Sequence, residues 1–135
     1  MGDVKRITSI TVAGLFVLCA AGCLRTEPLR ASTIQLGRAL GTDNSIAAHA
    51  TTFKPGEIVY VSVLTETPGS GVIVARWTFA GQPVTEETKK VSYSGAAATE
   101  FHFQSADGFK PGAYKVEILV DGQPAGERDF RVTEN

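Results

Sequence analysis

The chain has 135 residues, enough for one domain and a leader. Charged side chains make up 20% of it and the formal net charge is −1, which excludes both the basic footprint of a nucleic-acid binder and an acidic tail. Gly 14 and Pro 6, beside many Val, Thr, Phe and Tyr, favour short strands and turns over helices.

The first 22 residues differ from everything after them. Lys5 and Arg6 precede an uncharged run from Ile7 to Leu24 that ends in small residues, the order of a signal peptide's basic, apolar and cleavage regions. A retained span is the rival reading. Eighteen uncharged residues barely cross a hydrocarbon core of ~30 Å, and these include Thr8, Ser9, Thr11 and two glycines.

Both cysteines of the chain, Cys19 and Cys23, close this run. Ala20-Ala21-Gly22-Cys23 resembles the processing box of bacterial lipoproteins, Leu-Ala/Ser-Gly/Ala-Cys, and departs from it where Ala20 replaces leucine. Cys19 does not fit, because bulky Leu18 precedes it. The resemblance implies cleavage between Gly22 and Cys23, a lipid on Cys23, and attachment to a membrane of a bacterial cell envelope. Leu24 is not the aspartate that marks inner-membrane retention in enteric bacteria, so an outer-membrane destination is preferred for that type of envelope. A plain signal peptide or an uncleaved anchor is the alternative. After cleavage no thiol remains inside the folded part, and a domain without disulfides relies on its core. Loss of Lys5, Arg6 and Asp3 leaves that domain mildly acidic.

Residues 23–32 read as the anchor cysteine and a tether. The stretch "LRTEPLRAST" has no periodicity and contains Pro28, and ten such residues reach at most roughly 33 Å.

Residues 33–135 form the domain. "TIQLGRAL" (33–40) alternates Ile34 and Leu36 with polar partners, and "EIVYVSVLT" (57–65) is apolar on both faces, as a central strand is. "VIVARWTF" (72–79) places Ile73, Ala75, Trp77 and Phe79 on one face. "VTEETKKVSY" (84–93) is charged and weakly patterned, which suits an edge strand protected from aggregation. "TEFHF" (99–103) turns Phe101 and Phe103 inward, with Glu100 and His102 outward. "YKVEILV" (114–120) alternates through Tyr114, Val116, Ile118 and Val120, and "RDFRV" (128–132) through Phe130 and Val132. Period-2 patterning recurs, and no amphipathic helix is evident.

Seven such strands predict an all-β, antiparallel sandwich of the immunoglobulin-like class. "VDGQ" (120–123) reads as a tight hairpin turn, "FAGQP" (79–83) as a similar corner, and "TPGSGV" (67–72) as a hairpin loop. "FKPG" occurs at 53–56 and again at 109–112, each before a strongly apolar strand; it reads as one corner used twice, not as a repeat. Trp77 lies where immunoglobulin-like sandwiches bury a tryptophan, and Tyr114 after "PGA" resembles their tyrosine corner. The run from "FKPGEIVYVSV" through "ARWTFAGQPV" and "ATEFHF" to "DGFKPGAYKVEILVDGQPAGERDFRV" resembles a group of uncharacterised bacterial immunoglobulin-like domains, often found on predicted lipoproteins. The shared residues are turn and core residues, so the resemblance implies a fold and no activity.

Nothing in the sequence carries catalytic or metal chemistry, and no cofactor is expected. His49 and His102 have no HxH or HxxxH partner, and a solvated surface histidine is the stronger reading for each. Ser92 and Ser94 do not form GxSxG. "TPGSGV" lacks the lysine of a phosphate loop. Glu86 and Glu87 are adjacent, so on a strand they face opposite sides and cannot work as a pair. Trp77 reads as core in preference to a sugar platform.

The expected function is noncatalytic: a membrane-anchored interaction or structural module, with a small-ligand or glycan-binding module as the alternative. In an immunoglobulin-like sandwich the first strand starts at the end carrying the second-to-third and sixth-to-seventh strand loops. "ETPGSG" (66–71) and "DGQPAG" (121–126) are therefore expected toward the anchor. The long loop Gly41–Thr52 and the turn "SADGFKPG" (105–112) are expected at the far end, where Ser45, His49, Phe109 and Lys110 become possible contacts for an envelope protein. For Phe109, capping the core is the stronger reading.

Overall fold

The computed structural model describes residues 27–134. Nine strands follow one another: β1 (Thr33–Leu40), β2 (Ile46–His49), β3 (Thr52–Phe53), β4 (Val59–Thr65), β5 (Gly69–Phe79), β6 (Gln82–Tyr93), β7 (Ala97–Phe103), β8 (Gly112–Val120) and β9 (Gln123–Val132). They form a four-stranded sheet ordered β2-β1-β4-β7 and a five-stranded sheet ordered β3-β9-β8-β5-β6. Neighbouring strands are antiparallel except β3 and β9, which run parallel. This is an immunoglobulin-like β-sandwich.

Alternation decides what each strand buries. Val59, Val61 and Val63 of β4 face Ile73, Ala75 and Trp77 of β5 and Val116 and Ile118 of β8 in one cluster, all at most 1% exposed. Phe101, Phe130 and Val132 close the cluster, so the inward phases expected for 72–79, 99–103, 114–120 and 128–132 are those observed. β4 and β8 lie inside their sheets, and β6 is an edge strand, as its charges predict.

Two hairpin turns follow the sequence closely. Ala80 and Gly81 (φ 48° and 81°) join β5 to β6, and Asp121 and Gly122 (φ 50° and 79°) join β8 to β9. Positive φ at both central residues gives the primed turn whose twist matches the strands. The loop 66–68 is different. β4 and β5 belong to opposite sheets, so "TPGSGV" is a crossing followed by the first residues of β5, not a hairpin.

The loop expected over Gly41–Thr52 is also corrected, because it contains β2 and β3. The pairing of β1 with β2 slips on either side of Ala39, and the hairpin folds back across the outer face of the four-stranded sheet. Ser62 on that face is fully buried, its hydroxyl donating to the Asn44 carbonyl at 2.7 Å, while the Ile46 amide donates to Gln35 Oε1 at 3.2 Å. Gly37 lies directly beneath the hairpin; a Cβ there would collide with the Ala48 carbonyl oxygen and the Ile46 side chain.

Candidate functional site

The two Phe-Lys-Pro-Gly corners meet at one end of the sandwich. The Phe109 amide donates to the Pro55 carbonyl at 2.8 Å, and both phenylalanines, Phe53 and Phe109, are buried. Pro fixes the chain direction on entering β4 and β8, and Gly112 takes φ 144°, where a Cβ would press on the Phe79 ring at 2.8 Å. The Phe79 ring therefore lies over bare backbone.

That arrangement makes an apolar depression walled by Phe79, Val84, Phe103 and Phe109, with Asp107 and Lys110 on its rim. The rings support each other: Phe103 meets Phe109 edge-on at 4.9 Å, Phe109 meets Tyr114 at 5.5 Å, and Phe79 lies 4.6 Å from Tyr114. Tyr114 donates its hydroxyl to the Lys110 carbonyl at 2.7 Å, the expected tyrosine corner, which holds the turn in place. Burial raises the Tyr114 phenol above the ordinary tyrosine value. Ser105 closes the same turn, its hydroxyl donating to the Gly108 carbonyl at 3.0 Å.

Val84 was invisible as a site residue in the sequence. The pairing passes from Trp77–Thr85 to Thr78–Pro83, so Val84 is the extra residue of a bulge. It is 47% exposed and is the one large hydrophobic side chain on the surface among the described residues.

The four loop residues expected to face a partner are not brought together. Lys110 is exposed on the rim, while Phe109 beside it is buried and caps the core. His49 is exposed, but in a separate shallow hollow beside Arg38 and Lys54. Ser45 lies elsewhere again, over the outer face next to Leu64, Thr65 and Ala97, with its hydroxyl donating to Asp43. Loop 41–45 therefore does not share the far end with residues 105–112. The physical reason is the folding back of the β1–β2 hairpin.

A second polar cluster bridges the two open sheet edges. From β6, Lys89 reaches the backbone carbonyl of Glu100 in β7 and its carboxylate at 3.2 Å, with the ammonium 5.0 Å from the centre of the Phe101 ring. His102 Nδ1 lies 3.1 Å from the other Glu100 oxygen. Burial raises the Glu100 carboxyl, but the hydrogen bonds from His102 and Lys89 outweigh it and leave the group below the ordinary glutamate value. Among the described residues no three His, Cys, Asp or Glu side chains converge as metal ligands. Gly22 and Cys23, the expected cleavage and lipidation positions, lie outside the described residues.

No protein-family model matches the chain, and no curated protein matches it. Solved structures do. An immunoglobulin-like protein of Pseudomonas aeruginosa is 13% identical with a TM-score of 0.55, over 81% of this chain and 99% of that one. A Paenibacillus cycloisomaltooligosaccharide glucanotransferase complexed with cycloisomaltoheptaose is 14% identical with a TM-score of 0.54. The match spans 82% of this chain but only 14% of the glucanotransferase. At such identities the likeness is one of fold.

Proposed function

We propose that the chain is a noncatalytic module of a bacterial cell envelope, anchored by a lipid on Cys23 and offering the depression around Val84 and Phe103 to an envelope protein. The observation that carries this reading is the placement of the two ends. The described chain enters beside Ser70, where Leu29 donates to the Ser70 carbonyl at 3.2 Å, and the depression occupies the end where Phe109 bonds Pro55. β5 runs between them, from Gly69 to Phe79. A membrane attachment upstream of Glu27 thus leaves the apolar depression directed away from the bilayer. Ala20-Ala21-Gly22-Cys23 supplies the attachment chemistry, and in an envelope of the enteric type Leu24 favours the outer membrane.

Lipid labelling of the full chain tests the anchor. Cys23→Ser abolishes labelling and membrane retention, whereas Cys19→Ser leaves both intact. Full membrane partitioning of the Cys23 variant would identify an uncleaved span in place of a lipid.

The aromatic lining is also what a small-ligand or glycan-binding module uses. The protein-partner reading is preferred because the rings of Phe103, Phe109 and Tyr114 are spent on one another edge-to-face, which leaves little open ring face for a sugar. Saccharide binding that disappears in Phe103→Ala would reverse that preference.

A further inference from the structure

Residues 27–32 are not a loose tether. The Ser70 amide donates to the Glu27 carbonyl at 3.0 Å and the Leu29 amide to the Ser70 carbonyl at 3.2 Å, a parallel bridge centred on Pro28. Such a bridge uses no amide from its central residue, so proline fits there. Leu29 is 4% exposed and belongs to the core cluster. Ser32 then bonds the Leu64 carbonyl through both its amide (2.8 Å) and its hydroxyl (3.1 Å), so the segment is fastened to both sheets. Two glycines make room for it. A Cβ on Gly69 would lie 3.0 Å from the Glu27 carbonyl oxygen and 3.1 Å from Leu29 Cα, and one on Gly71 would lie 3.2 Å from Leu29 Cβ.

We infer that Glu27–Leu29 is a latch that fixes the domain's orientation, so that the end carrying Glu66–Pro68 and Asp121–Ala125 rests on a lipid headgroup surface. This rests on the membrane attachment proposed above. Only Leu24, Arg25 and Thr26 separate Cys23 from the first docked residue. Four Cα steps span at most about 14 Å, less than half the reach of the tether expected from sequence. So short a link keeps the surface beside Pro28 within about 14 Å of the lipid-bearing residue. That surface exposes Thr67, Pro68, Gln123, Pro124 and Ala125 beside two carboxylates, Glu66 and Asp121. It has no basic cluster, so reach sets the contact and electrostatic attraction does not. The depression at the far end of β5 is held roughly 35 Å out, at ~3.3 Å per residue of strand.

The test uses the full chain extracted from membranes and reconstituted in phosphatidylethanolamine–phosphatidylglycerol vesicles doped with a headgroup nitroxide. A genetically encoded fluorescent amino acid at Gln123 or at Ala106 reports proximity. Quenching is expected to be several-fold stronger at 123 than at 106, and unchanged between low and high salt. Gly69→Val, which drives a side chain into the latch, and Leu29→Ser, which withdraws its buried anchor, each bring the two positions toward equality. Unshifted Trp77 emission shows that the sandwich is intact in whichever variant is scored. Equal quenching at 123 and 106 in the unsubstituted chain overturns the latch. The mass of the Cys23 residue reports separately on lipidation: an uncleaved anchor lacks the acyl mass yet gives the same depth difference, and a chain that does not associate with vesicles overturns both.

Discussion

The Tyr114 hydroxyl donates to the Lys110 carbonyl 2.7 Å away, across the turn that rims the apolar depression, while its ring stacks on Phe130 at 5.1 Å with planes 12° apart. The ring belongs to the core and the hydroxyl to the turn. Tyr114→Phe keeps the first and removes the second, at an expected cost of about 1 kcal/mol in urea unfolding. The phenol is raised in the folded state by burial. Its contribution is therefore complete below the unfolded value near 10 and is lost as pH rises through the folded value. The alkaline loss of stability should be smaller in the Phe variant. An identical alkaline limb in both proteins would contradict this assignment.

Trp77 is 1% exposed and touches the rings of Phe103 (5.5 Å) and Phe130 (6.0 Å). Trp77→Ala should cost about 3 to 5 kcal/mol, as truncation of a buried aromatic does. Both cysteines lie upstream of the domain, so a reducing agent should leave melting of the domain unchanged. Efficient quenching of Trp77 fluorescence by acrylamide in the native state would be incompatible with this packing.

Such inward phases were legible because burial on one side of a strand imposes a two-residue period, and Ile73, Ala75, Trp77 and Val116, Ile118 carry it plainly. The two tight turns were legible too, because Gly81 and the Asp121-Gly122 pair suit positive φ, although Ala80 does not. What escaped the sequence is what depends on distant backbone. "IAAH" and "TF" are too short to show a period, and they become strands only through β1 and β9. Leu29 read as tether because the room it occupies is made by Gly69 and Gly71, some forty residues away. Val84 read as part of a charged strand because a bulge has no side-chain signature of its own. The depression is thus built from legible residues in an illegible arrangement.

Gly37 tests the folded-back hairpin. A methyl group there meets the Ala48 carbonyl and Ile46, with Ser62 and Gln35 bonded to the same hairpin nearby. Gly37→Ala should destabilise by about 1 to 3 kcal/mol, the range for overpacking, although alanine ordinarily favours strands over glycine. Amide exchange should accelerate selectively at Ile46. A variant as stable as the parent would mean that the hairpin does not cover the sheet.

Lys89 closes a gap between two sheet edges. Its ammonium caps the Glu100 carbonyl on the open side of β7, where an added strand would otherwise pair. Lys89→Met keeps the aliphatic stem and removes the cap, so concentration-dependent self-association should rise, as read by light scattering. Glu100 reports on the same cluster. Its carboxyl lies below the ordinary value, so its contribution is complete above the unfolded value near 4.5 and is lost as pH falls through the folded one. Titration by NMR should show that midpoint move up in Lys89→Met. An unmoved midpoint would remove Lys89 from the cause.

The depression itself makes the sharpest demand. Val84 is 47% exposed, yet it stands beside the half-buried Phe79 and Phe103 at the end of the sandwich farthest from the docked N-terminal segment. A branched side chain this exposed contributes little to folding, and a substitution there should change stability by less than about 0.5 kcal/mol. Partner binding is another matter, because a charge buried without a counter-charge at the centre of an apolar contact is strongly unfavourable. Val84→Glu should therefore leave unfolding unchanged while removing the protein that co-purifies with the parent from native membranes, identified by mass spectrometry of both preparations. Lys110→Ala, on the rim, should weaken recovery of the same protein only modestly and make it less salt-sensitive. Equal recovery of every co-purifying protein by parent and Val84→Glu would show that the depression is not the contact, and would move the search to the His49 hollow on the other side of the Phe53 corner.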